Sequence, residues 1–209
     1  MARDGEIDTD VNRPLWRIGW HWAYLFIGAP VLGIALGYFV GGALGFAVGL
    51  LTVAGGPVFA LSGLVYVHVK KDDVIRRGTT VVEREAAATV QRTGDTETHS
   101  LLTTGGKRLP LLPKPNAQVA TLIAGDDHLL VHSEAEINLP SLTWRIGNST
   151  NEYHYDRVAG VNYDPDEHED GGTFWVNFSD GQDRRWDTMT DADGALQSVQ
   201  NRIRAYNSQ

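Results

Sequence analysis

The sequence predicts an α+β membrane protein: an N-terminal transmembrane helical hairpin, then an antiparallel strand-rich domain closed by a C-terminal helix. Three observations predict it. Arg17 and Lys70 enclose 52 residues without one Asp, Glu, Lys or Arg. Downstream, short runs of alternating apolar residues are separated by Gly, Asp and Asn turns. The last apolar run changes its period from two to about 3.6.

A chain of 209 residues has room for one membrane segment and one domain of about 100–150 residues. The expected organisation is a cytoplasmic tail at 1–19, the hairpin at 20–69, a juxtamembrane segment with a Pro/Gly loop at 70–117, and the strand-rich domain at 118–209. Charge segregates with position: residues 70–209 carry 15 of the 18 basic and 22 of the 26 acidic side chains. Fourteen Arg stand against four Lys and seventeen Asp against nine Glu, with a net charge of −8. This resembles the acidic, lysine-poor style of proteins from salt-loving archaea; the plainer alternative is an ordinary acidic protein. The chain has no cysteine, which excludes disulfides, thiolate zinc sites and a catalytic thiol.

The uncharged stretch far exceeds one membrane helix and suits two spans of roughly 20–25 residues. A turn at Gly55, Gly56 and Pro57 would leave the second span too short to cross, so Gly41 and Gly42 divide the run, with spans at 20–40 and 43–67. Pro30 and the Gly-Gly-Pro step are expected to bend their helices. Arg13 and Arg17 precede the first span and Lys70, Lys71, Arg76 and Arg77 follow the second, while the turn has no basic residue. Both termini are therefore expected in the cytoplasm of a multi-pass protein of the cell membrane. Trp16, Trp20, Trp22 and Tyr24 at the start and Tyr66 and His68 at the finish are expected in one interfacial belt. Asp4, Glu6, Asp8 and Asp10 spoil the positive leader of a signal peptide. Gly33, Gly37 and Gly41, continued by Gly45 and Gly49, recur every four residues, the spacing that lets helix backbones approach closely in lipid. Packing within one hairpin is favoured over packing between two copies of the chain. No ionisable residue falls mid-span, which argues against a transport path.

Beyond the charged exit, Thr79 to Arg92 reads equally as helix or strand. Thr93 to Asn116, with Gly105, Gly106 and prolines at 110, 113 and 115, reads as a long loop. Val119 to Ala124 and His128 to Ser133 form a hairpin around Gly125, Asp126 and Asp127. Leu142, Trp144 and Ile146 alternate on one strand, and Glu152 to Tyr163 reads as another. Thr173 to Phe178 and Arg184 to Thr188 flank a Ser179–Gln182 turn. Ala192, Leu196, Val199, Ile203 and Tyr206 make an apolar helical stripe, with Thr190 at the expected N-cap.

The segments YHYDRVAGV from Tyr153 and GTFWVNFSDGQDRRW from Gly172, followed by the final helix, resemble the later half of a bacterial-type pleckstrin-homology-like (PH-like) domain. The resemblance spans roughly Gln118 to Tyr206. It implies a PH-like β-barrel or curved sheet plugged by its last helix, and membrane members of that group often carry a two-helix hairpin ahead of the domain. The long Pro-containing loop before Gln118 departs from the compact form.

Catalytic and metal motifs are weak. DPDEHEDGG alternates Asp164, Asp166 and Asp170, but Glu169 and Trp175 stand where a calcium loop needs Gly and Glu, so it reads as a solvated loop. His128 and His132, four apart on a strand, lie about 13 Å apart, too far to share a metal. There is no nucleophile elbow, Walker loop or dinucleotide fingerprint, and an enzyme is the minority reading. No catalytic residue, metal ligand or cofactor is assigned. The leading expectation is an adaptor that binds a protein partner or assembles a membrane complex through a sheet edge or the groove beside the helix; a second copy of the chain is one such partner. The alternative is recognition of anionic lipid by Lys107, Arg108 and Lys114 with Leu109, Leu111 and Leu112, although the acidic domain opposes it. The same charge disfavours nucleic acid, despite Arg184, Arg185 and Trp186.

Overall fold

The structure is a computed structural model that describes residues 3–89, 96–104, 111–166 and 171–208. It divides into two compact units. One comprises Thr9–Val74 with Arg108–Pro115, and the other Met1–Asp8, Ile75–Lys107 and Asn116–Gln209.

The first unit is helical. Asn12 caps α1 (Arg13–Trp20) by accepting the Leu15 N–H, and α1 stops at His21, whose ring hydrogen-bonds the Arg17 carbonyl. Helix α2 (Trp22–Val40) follows at once and continues through Pro30. The chain reverses at Gly41 and Gly42, both at positive φ (67° and 60°), a conformation that costs glycine little. Helix α3 spans Gly42–Thr89 without a break, Pro57 included. Its first part belongs to this unit and its last part, from Ile75, to the other. Two helices are long and apolar enough to cross a membrane, and the most apolar windows of α2 and α3 are only 6% and 17% buried.

The second unit is an open antiparallel sheet ending in a helix. Its strands are β1 (Arg3–Glu6), β2 (Glu97–Thr104), β3 (Asn116–Ala124), β4 (His128–Asn138), β5 (Thr143–Ile146), β6 (Thr150–His154), β7 (Val158–Pro165), β8 (Gly172–Phe178) and β9 (Asp183–Thr188), with α4 at Asp193–Asn207. The order is β1-β5-β4-β3-β2-β9-β8-β7, and β6 lies beside the first half of β4. Strand β4 serves two partners: His128–His132 pairs with β6 and Ala135–Asn138 with β5. A bulge separates the halves, because Val119 pairs with Ala135 and Thr121 with His132, leaving Ser133 and Glu134 opposite the single Ala120. An extra residue reverses which side chains point to a given face. On one face of the sheet Leu129 and Val131 therefore give way to Glu136 and Asn138.

That face holds a core at one end. Leu101, Ala120, Leu122, Leu129, Val131, Tyr155, Phe174 and Val176 bury against Ala195 and Val199 of α4. Burying each large side chain is worth about 1.5–3 kcal/mol. The opposite face packs on the last part of α3: a Cβ on Gly78 would meet Ile7 and Ile137 at 3.0–3.3 Å, and Ser100 donates to Glu83 at 3.2 Å.

One segment left open between helix and strand is resolved, and several elements differ from the sequence reading. Thr79 to Thr89 is helix, with Val82 and Ala86 buried one turn apart. Part of the expected loop is strand β2, central in the sheet between β3 and β9; both of its faces are covered, so Leu101 and Leu102 are buried side by side and alternation disappears. The tail contains β1, which pairs with β5. The strand expected over Glu152 to Tyr163 is cut by a 3-10 turn at Tyr155–Arg157. Helix α4 starts later than Thr190 would cap it; the Asp193 N–H instead donates to Asp191 Oδ1.

Candidate functional site

On the face that carries α4, no described helix or strand lies over the sheet beyond the bulge. Residues that share a row across it are Asp4, Arg145, Glu136 and Gln118, and beside them Glu6, Thr143, Asn138 and Asn116. These side chains line two adjoining shallow clefts. One of about 550 Å³ is bounded by Asp4, Glu6, Glu136, Asn138, Trp144 and Arg145. The other, about 390 Å³, is bounded by Gln118, Ser133, Glu134, Glu136, Arg145 and Gly147. Among the described residues four carboxylates thus line the clefts with one guanidinium, Arg145. Among the described residues β1 pairs with β5 alone, so its outer side is a sheet edge next to the larger cleft.

The sequence marks this surface poorly. Arg-Asp-Gly-Glu has no apolar alternation, and the pairing of β1 depends on Ile7, whose N–H donates to the Leu142 carbonyl at 2.8 Å. Leu142 itself sits at φ 56°, turning the chain into β5. The one available signal is the alternation around Trp144, which places Arg145 on the opposite face.

The expected site residues fall elsewhere. Gly33 and Gly37 of α2 lie against Gly49 and Gly45 of α3: a Cβ on Gly49 would meet the Gly33 carbonyl at 2.8 Å, and one on Gly45 the Gly37 carbonyl at 2.7 Å. Trp16 is fully buried and Trp20 nearly so, with their rings edge to face at 6.2 Å. They turn inward because α1 lies along α3, where a Cβ on Gly63 would strike the Gly19 backbone nitrogen at 2.6 Å. Trp22 is half-buried, stacked edge to face with Phe26, and the Tyr66 hydroxyl accepts the Asn12 N–H at 2.7 Å. Lys107 and Arg108 lie outside the described residues. Lys114 is half-buried, between buried Leu112 and the start of β3.

Buried or shifted titratable groups do not line the clefts. His132 is fully buried, its Nδ1 3.0 Å from Thr150 Oγ1, and burial pushes its pKa down. Burial pushes the Tyr155 hydroxyl well up while it donates to the Gly125 carbonyl. At the far end of the sheet, hydrogen bonding to His128 lowers the Asp127 carboxyl, and the His128 and His154 rings meet at 6.2 Å. Among the described residues no group of three His, Asp or Glu is placed to hold a metal ion. Among the described residues the clefts can therefore offer carboxylates, one guanidinium and a strand edge to a partner. No protein-family model matches the chain, and no curated protein matches it in sequence.

Proposed function

We propose that the protein is a membrane-anchored adaptor: the helical hairpin sits in the bilayer and a PH-like domain on the cytoplasmic side binds a protein partner through the uncovered end of its sheet. The observation that carries the reading is the shallow, polar, open cleft shared by Glu136 and Arg145 beside the edge of β1. Enzyme sites are concave and converge shifted titratable groups, whereas His132 and Tyr155 are sealed within the sheet.

Membrane insertion is supported by the exposure of α2 and α3. A core helix of a soluble domain would be mostly buried, but Tyr38, Phe39, Leu44, Phe46 and Leu51 all face outward, and such apolar area needs lipid to cover it. The basic residues at both outer ends of the hairpin favour cytoplasmic termini. The PH-like reading is supported by the succession β6, 3-10 turn, β7–β8–β9 and capping α4.

Purification of the full chain in mild detergent tests the adaptor role: a stoichiometric membrane protein partner is expected, and recovery of the chain alone counts against it. Because the chain has no cysteine, Val40→Cys and Asn207→Cys can be labelled singly. Asn207→Cys should react with an impermeant maleimide only in inverted vesicles and Val40→Cys only in right-side-out ones.

One observation favours lipid contact as a second reading. Leu111 is 63% exposed at φ 57°, and its segment belongs to the helical unit.

A further inference from the structure

We infer that the outer face of strands β7, β8 and β9 is a second docking surface, where an arginine of a partner protein stacks its guanidinium on the Trp175 indole beside the Asp164 and Asp187 carboxylates. The inference places a contact away from the clefts, and it rests on the adaptor reading for the partner being a protein. Side chains alternate along β8: Phe174 and Val176 are buried in the core with α4, so Thr173, Trp175 and Asn177 take the other face. Strand pairing fixes their neighbours there. Trp175 stands between Asn162 of β7 and Arg185 of β9, and Thr173 between Asp164 and Asp187. Asn162, Asp164, Arg185 and Asp187 are exposed, with Trp175 half-buried among them.

The hydrogen bonds of this face decide what it can still bind. Asn162 donates to Asn177 at 2.9 Å and Asn177 to Asp183 at 3.0 Å. Thr173 donates to Asp187 Oδ1 at 3.3 Å. Arg185 reaches Asp183 at 3.4 Å, on the side of its strand away from Asp187. The side-chain donors are thus turned onto neighbours within the sheet. Among the described residues neither Asp164 nor Asp187 has a basic partner, and Trp175 has no ring stacked on it. What remains on offer is an indole, the Asp164 carboxylate and the second oxygen of Asp187.

The complement of such a surface is a cation with several donors. A guanidinium is planar, stacks on an aromatic face and forks onto a carboxylate, which an ammonium does not. Diagonal neighbours on a sheet face lie about 7–8 Å apart, within reach of long side chains. Asp164 and Asp187 are both diagonal to Trp175, so a guanidinium seated on the indole meets either acid. The same carboxylates repel phosphate and with it nucleic acid.

The test uses the full-length chain in a non-ionic detergent, which brings no competing cation, at about 0.1 M salt, where the Debye length is about 10 Å. The probes are a fluorescent Ser-Arg-Gly-Arg-Ser peptide, its counterpart with Lys for Arg, and one with citrulline, which keeps the shape of arginine and loses the charge. Wild type should bind the Arg peptide about tenfold tighter than the citrulline peptide and about threefold tighter than the Lys peptide. Asp164→Asn with Asp187→Asn should bring the Arg and citrulline peptides within about twofold of each other. Trp175→Leu should remove the preference for Arg over Lys, and Trp175→Phe should restore part of it. The Asp pair replaces exposed side chains and keeps the test open should Trp175→Leu fail to fold. Glu136→Gln, in the clefts, should change nothing. Equal binding of the Arg and citrulline peptides by wild type, a preference unmoved by the Asp pair, or an equal loss with Glu136→Gln would overturn the inference. A membrane partner that co-purifies equally with wild type and the Asp pair removes this inference and leaves the adaptor standing; no partner with either removes the adaptor and this inference with it.

Discussion

Arg202 of α4 reaches Asp126 Oδ1 at 2.9 Å, fastening the capping helix to the turn between β3 and β4. The same guanidinium lies 3.5 Å from Glu97 Oε1, and Ser198 donates to the other oxygen of that carboxylate. One side chain thus ties α4 to the β3–β4 turn and to β2, and it is only 16% exposed while its partners are half-exposed or more. Exposed ion pairs contribute about 0–1 kcal/mol, and breaking buried ones costs about 3–5. Arg202→Met should fall between, at about 1–2 kcal/mol, read as a lower urea midpoint with an unchanged slope in tryptophan fluorescence. Arg202→Lys should recover only part of it, since one ammonium lacks the fork that spans both acids.

Gly55 and Gly56 are adjacent on α3 and face opposite circumstances. A Cβ on Gly55 meets nothing within 4 Å, whereas one on Gly56 collides with Ala29 Cβ and lies 3.0 Å from the Leu25 carbonyl on α2. Alanine is the better helix former by about 1 kcal/mol. Gly55→Ala should therefore leave stability unchanged or raise it, and Gly56→Ala should lower it by about 1–3 kcal/mol by forcing the helices apart. The midpoint of unfolding on titrating SDS into mild detergent, followed by far-UV circular dichroism, separates the two.

The contrast shows what could be read from sequence. Charge-free length located two apolar helices and a turn at Gly41 and Gly42, because an uncharged run much longer than about 20 residues divides most simply at its paired glycines. The close contacts of Gly33 with Gly49 and Gly37 with Gly45 follow from four-residue spacing, but nothing in a spacing distinguishes Gly55 from Gly56. The hairpins β3–β4 and β8–β9 were legible from turn chemistry. Strand β2 was not, because a strand covered on both faces loses its alternation, and β1 was not, because its place depends on a distant partner, β5. The bulge at Ser133 and Glu134 leaves no local mark either, yet it exposes Glu136 where the pattern of Leu129 and Val131 would have continued the core.

His132 titrates against the fold. It is buried, Thr150 Oγ1 is its hydrogen-bond partner, and burial holds its pKa below the ordinary value near 6.5, with the Glu134 charge opposing in part. The unfolded chain takes up this proton at higher pH than the native one, so the neutral ring favours folding above about pH 6.5 and the advantage is lost as pH falls below it. Denaturant midpoints of wild type should drop between about pH 6.5 and 5. His132→Leu should flatten that segment of the profile, and an equally steep fall in the variant would assign the acid sensitivity to other groups.

Leu111 holds a backbone conformation that leucine disfavours by about 1–2 kcal/mol, at φ 57° with its side chain outward. Such strain persists where the surroundings impose it or a function uses it. Asparagine tolerates the left-handed region, so Leu111→Asn should raise the thermal midpoint of the full chain in detergent, by the equivalent of about 0.5–1 kcal/mol. If the leucine instead serves as an anchor in the leaflet, a bimane on Leu111→Cys in nanodiscs should be quenched by nitroxide carried on lipid and shielded from aqueous iodide. Quenching by iodide alone would make Leu111 a strained surface residue and would remove the observation that favours lipid contact.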